Sequence, residues 1–401
     1  MFCPRWCGEY EMSLKMRITK SIVCGLFLLV ALSSLSHAQS ELYEQKSGYP
    51  YGFIPTTTSA AEAERTYQDI LQKLVRECDG DYRVVVSGND ETYVEGMGFV
   101  MLLAAYYGDK ETFDGLYRFY VKSRSEIANN MMGWRANCDG ILDWGSATDG
   151  DVDVAFSLIV AHEQWGGPYL EQAIEIIDII KSSVLIDCDG TSILAPGYHR
   201  DANQGGKGLW GGCDLLDIMY HTPAFFRVFA EATGDDDWNK LADDTYEVLN
   251  AAAHPETGLV PDWQDVDGKP GGNSDWRCDY YRYDACRVPW RIALDYLWNG
   301  NFEAKAWCDK VSTWLEGVGV ENIVDGYHLD GTPHETAQYH NNAFVGGFAV
   351  ASMCHSQKLV DAFGADLERP EMKEDGYWFN LSTRGIYLFT LTGKFWKPEL
   401  K

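Results

Sequence analysis

The sequence predicts an all-α protein, an (α/α)6 toroid of six helical hairpins. Three observations point there. Stretches that are apolar on every side alternate with stretches apolar on one side, about six times, at a period of roughly 60 residues. A helix apolar all round must be buried, and a helix with one apolar stripe must cover something, so the pattern describes two concentric helical layers. Long polar, glycine-rich connections at 84–93, 190–212 and 262–283 interrupt the helices. Loops of that length inside one domain usually carry function.

The elements follow in order. The first predicted helix is 60–76, with Ser59 as its N-cap. Segment 96–107 is apolar nearly all round and stops at Gly108-Asp109. Segment 110–125 places Phe113, Leu116, Tyr117 and Tyr120 on one stripe. Segment 152–164 is again apolar throughout, and 169–182 is its polar-faced partner. The pairs 223–233 with 237–252 and 288–299 with 302–316 repeat the pattern, and 342–352 and 378–392 complete it.

Charge narrows the function. The chain carries 60 Asp plus Glu against 33 Lys plus Arg, which argues against nucleic acid, whose phosphates need a basic face. It favours a neutral or cationic substrate. The 46% hydrophobic content separates the chain from disordered acidic proteins. With 14 Trp and 23 Tyr there are more polar-tipped aromatics than a plain core uses, which suits stacking on flat ligands.

The beginning of the chain has the pattern of a secretory signal peptide. Lys15, Arg17 and Lys20 precede a short apolar run at 22–35, and Ser36-His37-Ala38 is a small-x-small cleavage site before Gln39. The run is too short to span a bilayer comfortably. Met16 is a natural start, with 1–15 lying upstream of it. The mature chain is therefore expected at 39–401, as one catalytic domain, monomeric, secreted or periplasmic, and free of the membrane. Eight cysteines remain there: Cys78, Cys138, Cys188, Cys213, Cys278, Cys286, Cys308 and Cys354. None forms a CxxC pair, which argues against zinc. Secretion permits disulfides, but buried free thiols account for the same residues. His328, His334 and His340 lie in a polar loop at a spacing that suits no standard zinc site. Neither metal nor cofactor is expected.

Three acidic segments stand where a loop meets a buried helix. Glu95 opens one apolar helix, in VEGMGF. Burial there would raise its pKa, as a general acid requires, although an acid at a helix start also suits the helix dipole. Asp149, Asp151 and Asp153 alternate in ATDGDVDVA. N-capping explains one of them but not three, and the twelfth-position glutamate of a calcium loop is missing. Asp284 precedes a third apolar helix, in YDACRVPWR, with Pro289 in its first turn. Arg287 and Arg291 are placed to keep Asp284 ionised, as a base requires, or to form a structural ion pair with it.

Together these segments resemble glycoside hydrolase family 8. The stretch ATDGDVDVAFSLIVAHEQW is similar to the family signature almost position for position, VEGMGF to the segment holding the general acid, and YDACRVPWR to the segment holding the general base. The resemblance covers essentially the whole mature chain. It implies inverting hydrolysis, with Glu95 as acid, Asp284 as base, and Asp149 as the carboxylate contacting the sugar distorted at the cleavage point. It makes Arg287 a site arginine. It makes Trp134, Trp210, Tyr220 and Tyr377 sugar-binding aromatics, with core packing the alternative for each, while Trp144, Trp276 and Trp290 are read as core or left undecided. Departures are Val94 for a serine, Phe99 for an aromatic hydroxyl, Cys286 inside the base motif, and Asp217-Ile218-Met219 for Asn-Pro-Ser.

The family acts on cellulose, mixed-linkage β-glucan, chitosan and xylan. Asp284 resembles the cellulase-and-xylanase branch and ATDGDVD the cellulases, so an endo-β-1,4-glucanase is expected. Chitosanase is the second reading, favoured by the acidic charge, and xylanase or reducing-end xylosidase the third. A non-catalytic glycan-binding protein is the rival from another class, and a helical-repeat interaction protein a further one.

Overall fold

The computed structural model describes Tyr43 and residues 46–400, apart from 87, 89, 204 and 272–278. The proposed signal peptide, Cys278 and Trp276 lie outside the described residues. Helices fill two layers. In chain order they are α1 (Ala60–Leu74), α2 (Val94–Tyr107), α3 (Lys110–Lys122), α4 (Thr148–Trp165), α5 (Tyr169–Val184), α6 (Pro223–Thr233), α7 (Asp237–Ala252), α8 (Val288–Asn299), α9 (Phe302–Val318), α10 (Asn342–Ser352), α11 (Gln357–Leu367), the short α12 (Pro370–Glu374), and α13 (Trp378–Leu391).

The inner ring is α2, α4, α6, α8, α10 and α13. Apart from Glu95 every residue of α2 is buried, and every residue of α10 and α13 is buried. The outer layer is α1, α3, α5, α7, α9 and α11, each burying one stripe. Helix α2 packs on both α4 and α13, which closes the ring. Rings interlock inside it, with Phe156 of α4 stacked on Phe225 of α6 at 3.6 Å between centroids. Arg384 of α13 joins the layers: it donates to Glu62 of α1 at 2.7 Å and to Asn342 of α10 at 2.9 Å. The toroid expected from the alternating pattern is present.

Several features were not anticipated. Helix α11 completes the sixth hairpin; its apolar residues are diluted by Asp361, Gly364 and Asp366, which hides its stripe. Two outer helices run straight into β-hairpins, β1–β2 (Val75–Cys78 with Asp81–Val84) after α1 and a second hairpin (Leu185–Cys188 with Thr191–Leu194) after α5. Each turns on an Asp-Gly pair with positive φ, Asp79-Gly80 and Asp189-Gly190. Each hairpin is held by a disulfide, Cys78–Cys138 and Cys188–Cys213. Cys286, Cys308 and Cys354 are buried free thiols, so both readings of the cysteines hold, at different residues. Among the described residues no helix is long and apolar enough to cross a membrane. The loop histidines fall in two places: His328 and His334 stack on each other, while His340 pairs with Asp366 at 2.6 Å.

Candidate active site

Two glycines set the first half of the site. A Cβ on Gly150 would stand 2.6 Å from the carbonyl carbon of Val94 and 2.8 Å from the amide nitrogen of Glu95. A Cβ on Gly98 would stand 2.7 Å from that of Asp153. Residues without a Cβ therefore let the starts of α2 and α4 touch. That contact brings Glu95, the second residue of α2, beside Asp149, the second residue of α4.

Asp284 arrives from across the ring. It precedes the 3-10 turn Ala285–Arg287, which leads directly into α8. The turn buries Arg287 between all three acids. Its Nη1 pairs with Glu95 and reaches Asp149 Oδ2 at 3.4 Å, while its Nη2 donates to Asp284 Oδ1 at 3.0 Å. Asp284 Oδ2 accepts a hydrogen bond from Trp263 Nε1 at 3.0 Å. The neighbouring Asp262 accepts from the backbone amides of Arg282 at 2.8 Å and Ala285 at 2.9 Å, and so grips the base segment from both sides.

The acids differ in access. The side chain of Asp284 is 35% exposed, that of Glu95 18%, and that of Asp149 only 5%. Asp149 Oδ1 has no hydrogen-bond partner among the described residues. Burial pushes the Asp149 carboxyl up to about 7, helped by the charge of Asp153. Burial also pushes Asp284 up to about 6, against the Trp263 N–H, which favours the ionised form. Asp217 and Asp262 are raised too, first by burial and then by the charge of Asp284. The site is a group of carboxyls around one guanidinium.

Some expectations need correction. Arg291 does not reach Asp284. It lies one turn deeper, where both its terminal nitrogens bond the carboxylate of Asp153, one pair at 2.8 Å. None of the alternating acids caps α4; its N-cap is Ala147, with no side-chain bond. Each acid has its own partner instead: Asp149 faces Arg287, Asp151 accepts from Tyr120 Oη at 2.6 Å and from the Met132 amide at 3.2 Å, and Asp153 holds Arg291.

The aromatic candidates lie on either side of the acids. The carbonyl of Trp134 accepts from Val94 N at 3.0 Å, directly before Glu95, and its ring is 5.5 Å from Tyr93. Tyr93 also meets Trp378, the neighbour of Tyr377. On the other side Trp210 and Tyr220 lie 5.5 and 6.4 Å from Trp263. Trp290 is buried core, whereas Trp144 is 51% exposed. Asp262 and Trp263 are site residues that the sequence marks only by their place inside the long 262–283 loop. Among the described residues, Cys78, Asp79 and Cys138 alone are grouped as metal ligands would be, and those two sulfurs are bonded to each other.

Comparison with known proteins identifies the family. Residues 69–378 match the pattern of the glycosyl hydrolases family 8. The chain is 36% identical over 319 residues to Endoglucanase 2 of Ruminiclostridium josui, a match covering 77% of this chain and 65% of that relative's length. It is 32% identical over 399 residues to Endoglucanase A of Acetivibrio thermocellus, covering 94% of this chain and 79% of the relative. The solved apo structure of a β-1,3-1,4-glucanase from Paenibacillus sp. X4 superposes with a TM-score of 0.77 at 24% identity, over 88% of this chain and 98% of the other, which is a likeness of fold. The family match spans most of the chain and contains Glu95, Asp149, Asp284 and Arg287, so this chain belongs to the glycosyl hydrolases family 8.

Proposed function

We propose that the chain is a secreted, inverting hydrolase of β-1,4-linked glucan, acting as an endoglucanase. The observation that carries this reading is the meeting of Glu95, Asp149 and Asp284 on Arg287. Glu95 protonates the leaving glycosidic oxygen. Asp284, the most exposed of the three, takes a proton from a water on the opposite face of the sugar. Asp149 offers its unpartnered Oδ1 to a hydroxyl of the sugar at the cleavage point. Arg287 keeps the carboxylates together until substrate arrives. Trp134, Trp210, Tyr220 and Tyr377 bind sugar rings through their C–H faces. The endoglucanase names of its relatives favour glucan over chitosan and xylan. Cleavage after Ala38 releases the mature chain 39–401 as a monomeric single domain.

Reducing-sugar release from carboxymethylcellulose, lichenan, xylan and chitosan tests this. Release from the first two is the expected result. Release from chitosan or xylan alone moves the substrate within the family, and release from none leaves a glycan-binding protein. Proton NMR of the first product tests the stereochemistry: the α-anomer is expected, and a dominant β-anomer overturns inversion.

A further inference from the structure

We propose that Trp263 is a positioning residue that orients Asp284 through its indole N–H and ties the base to the Trp210–Tyr220 side of the cleft. The inference rests on the reading of Asp284 as the general base.

The geometry comes from one loop. Trp263 is buried, and its ring plane stands at 83° to that of Trp210 and at 52° to that of Tyr220. Two flanking rings fix the direction of an indole N–H, and this one ends on Asp284 Oδ2 at 3.0 Å. Asp284 Oδ1 is held by Arg287 at 3.0 Å. Each base oxygen thus has one donor, which sets the plane of the carboxylate and leaves its remaining lone pairs for water. Asp262, the preceding residue, anchors the same segment through the amides of Arg282 and Ala285. The Asp262-Trp263 pair therefore determines both where the base segment lies and which way its carboxylate turns.

The surroundings make this donor matter. Asp284 is faced by Asp149 from α4, Asp217 from the turn Ile218–Tyr220, Asp262 from its own loop, and Cys286 and Arg287 from its own turn, with Glu95 of α2 and Arg282 one partner removed. Arg287 is shared with Glu95 and Asp149, whereas the Trp263 N–H is given to Asp284. Replacing it by Trp263→Phe keeps a ring between Trp210 and Tyr220 but removes the donor. The ionised base then loses a hydrogen bond, and its titration moves upward.

The test has two parts. In Trp263→Phe, the acid limb of the kcat/KM–pH profile moves up by at least half a pH unit. Meanwhile kcat falls about tenfold and KM for long oligosaccharides stays within about twofold. A folded variant, checked by circular dichroism and melting, whose acid limb stays in place overturns the proposal. NMR of the wild-type protein with 15N-labelled tryptophan serves if the variant does not fold. One indole N–H resonance is expected to titrate with the acid limb and to stop titrating in Asp284→Asn. Indole resonances that are all flat across that range overturn the proposal. A resonance that follows Asp284 in a protein hydrolysing no glycan upholds the hydrogen bond and overturns Asp284 as a base.

Discussion

Arg287 and Arg291 stand four residues apart at the start of one inner helix, both buried against carboxylates. Arg291 meets a single partner, Asp153, with two N–H groups on two oxygens and both side chains 1% exposed. Arg287 meets three, one of them at 3.4 Å, and the carboxylate of Asp284 still reaches solvent. The first arrangement balances its charges and closes. The second leaves more negative charge than one guanidinium neutralises, and some of it must be relieved by protons. Imbalance of that kind costs stability and marks sites that bind or react. Sequence spacing alone treats the two arginines alike; their partners distinguish them.

The deep pair gives the largest expected effect. Asp153→Asn leaves the Arg291 charge buried against an amide, so stability should fall by about 3–5 kcal/mol, read from urea unfolding. Asp284→Asn leaves Arg287 two other carboxylates and should cost at most ~1 kcal/mol in the same experiment. Equal losses would erase the distinction between the two arginines. For activity the order reverses. Glu95→Gln and Asp284→Asn should each lower kcat/KM by at least ~10² on the best glucan, while both proteins fold normally. Near-normal rates in either would refute its role.

Protonation separates the regions next. An ordinary Asp carboxyl titrates near 3.8, but Asp284 is held at about 6 and Asp149 at about 7. Between about pH 4 and 7 the folded chain keeps protons that the unfolded chain has released, so stability falls as pH rises through that window. Melting temperatures measured across it should fall, and Asp149→Asn should flatten the fall. A base must be ionised to work, so the acid limb of kcat/KM should lie near pH 6. A limb near 4 would mean that Asp284 is not the group being read.

Much of this was legible in the sequence because helical burial leaves a periodic trace. Segments apolar all round, such as 96–107, can only be inner helices, and five of the six hairpins follow from that. Helix α11 was lost because Asp361, Gly364 and Asp366 break its stripe. The hairpins after α1 and α5 are four-residue strands whose alternation is too short to stand out. In the site, Glu95 and Asp284 were visible as acids at the mouths of apolar helices. Trp263 was not, because its role depends on a contact across 21 residues of loop. The partner of Arg291 is hidden in the sequence for the same reason: Asp153 lies 138 residues away and only the close packing of the inner ring brings them together.

Asp151 supplies the smallest effect on activity and the sharpest boundary. It sits between Asp149 and Asp153 in the same motif, yet it faces the outer layer, where Tyr120 of α3 donates to it at 2.6 Å. Burial pushes its carboxyl up to about 7, as high as that of Asp149. Height of pKa therefore does not separate a site acid from a structural one, but the identity of the partner does. Tyr120→Phe removes one buried hydrogen bond and should cost about 1–2 kcal/mol in urea unfolding. It should leave kcat/KM within about twofold, because nothing in the bond touches the carboxylates on Arg287. A tenfold loss of kcat/KM in a folded Tyr120→Phe protein would show that α4 transmits strain from Asp151 to Asp149. The site would then begin one helix layer further out than Arg287 defines it.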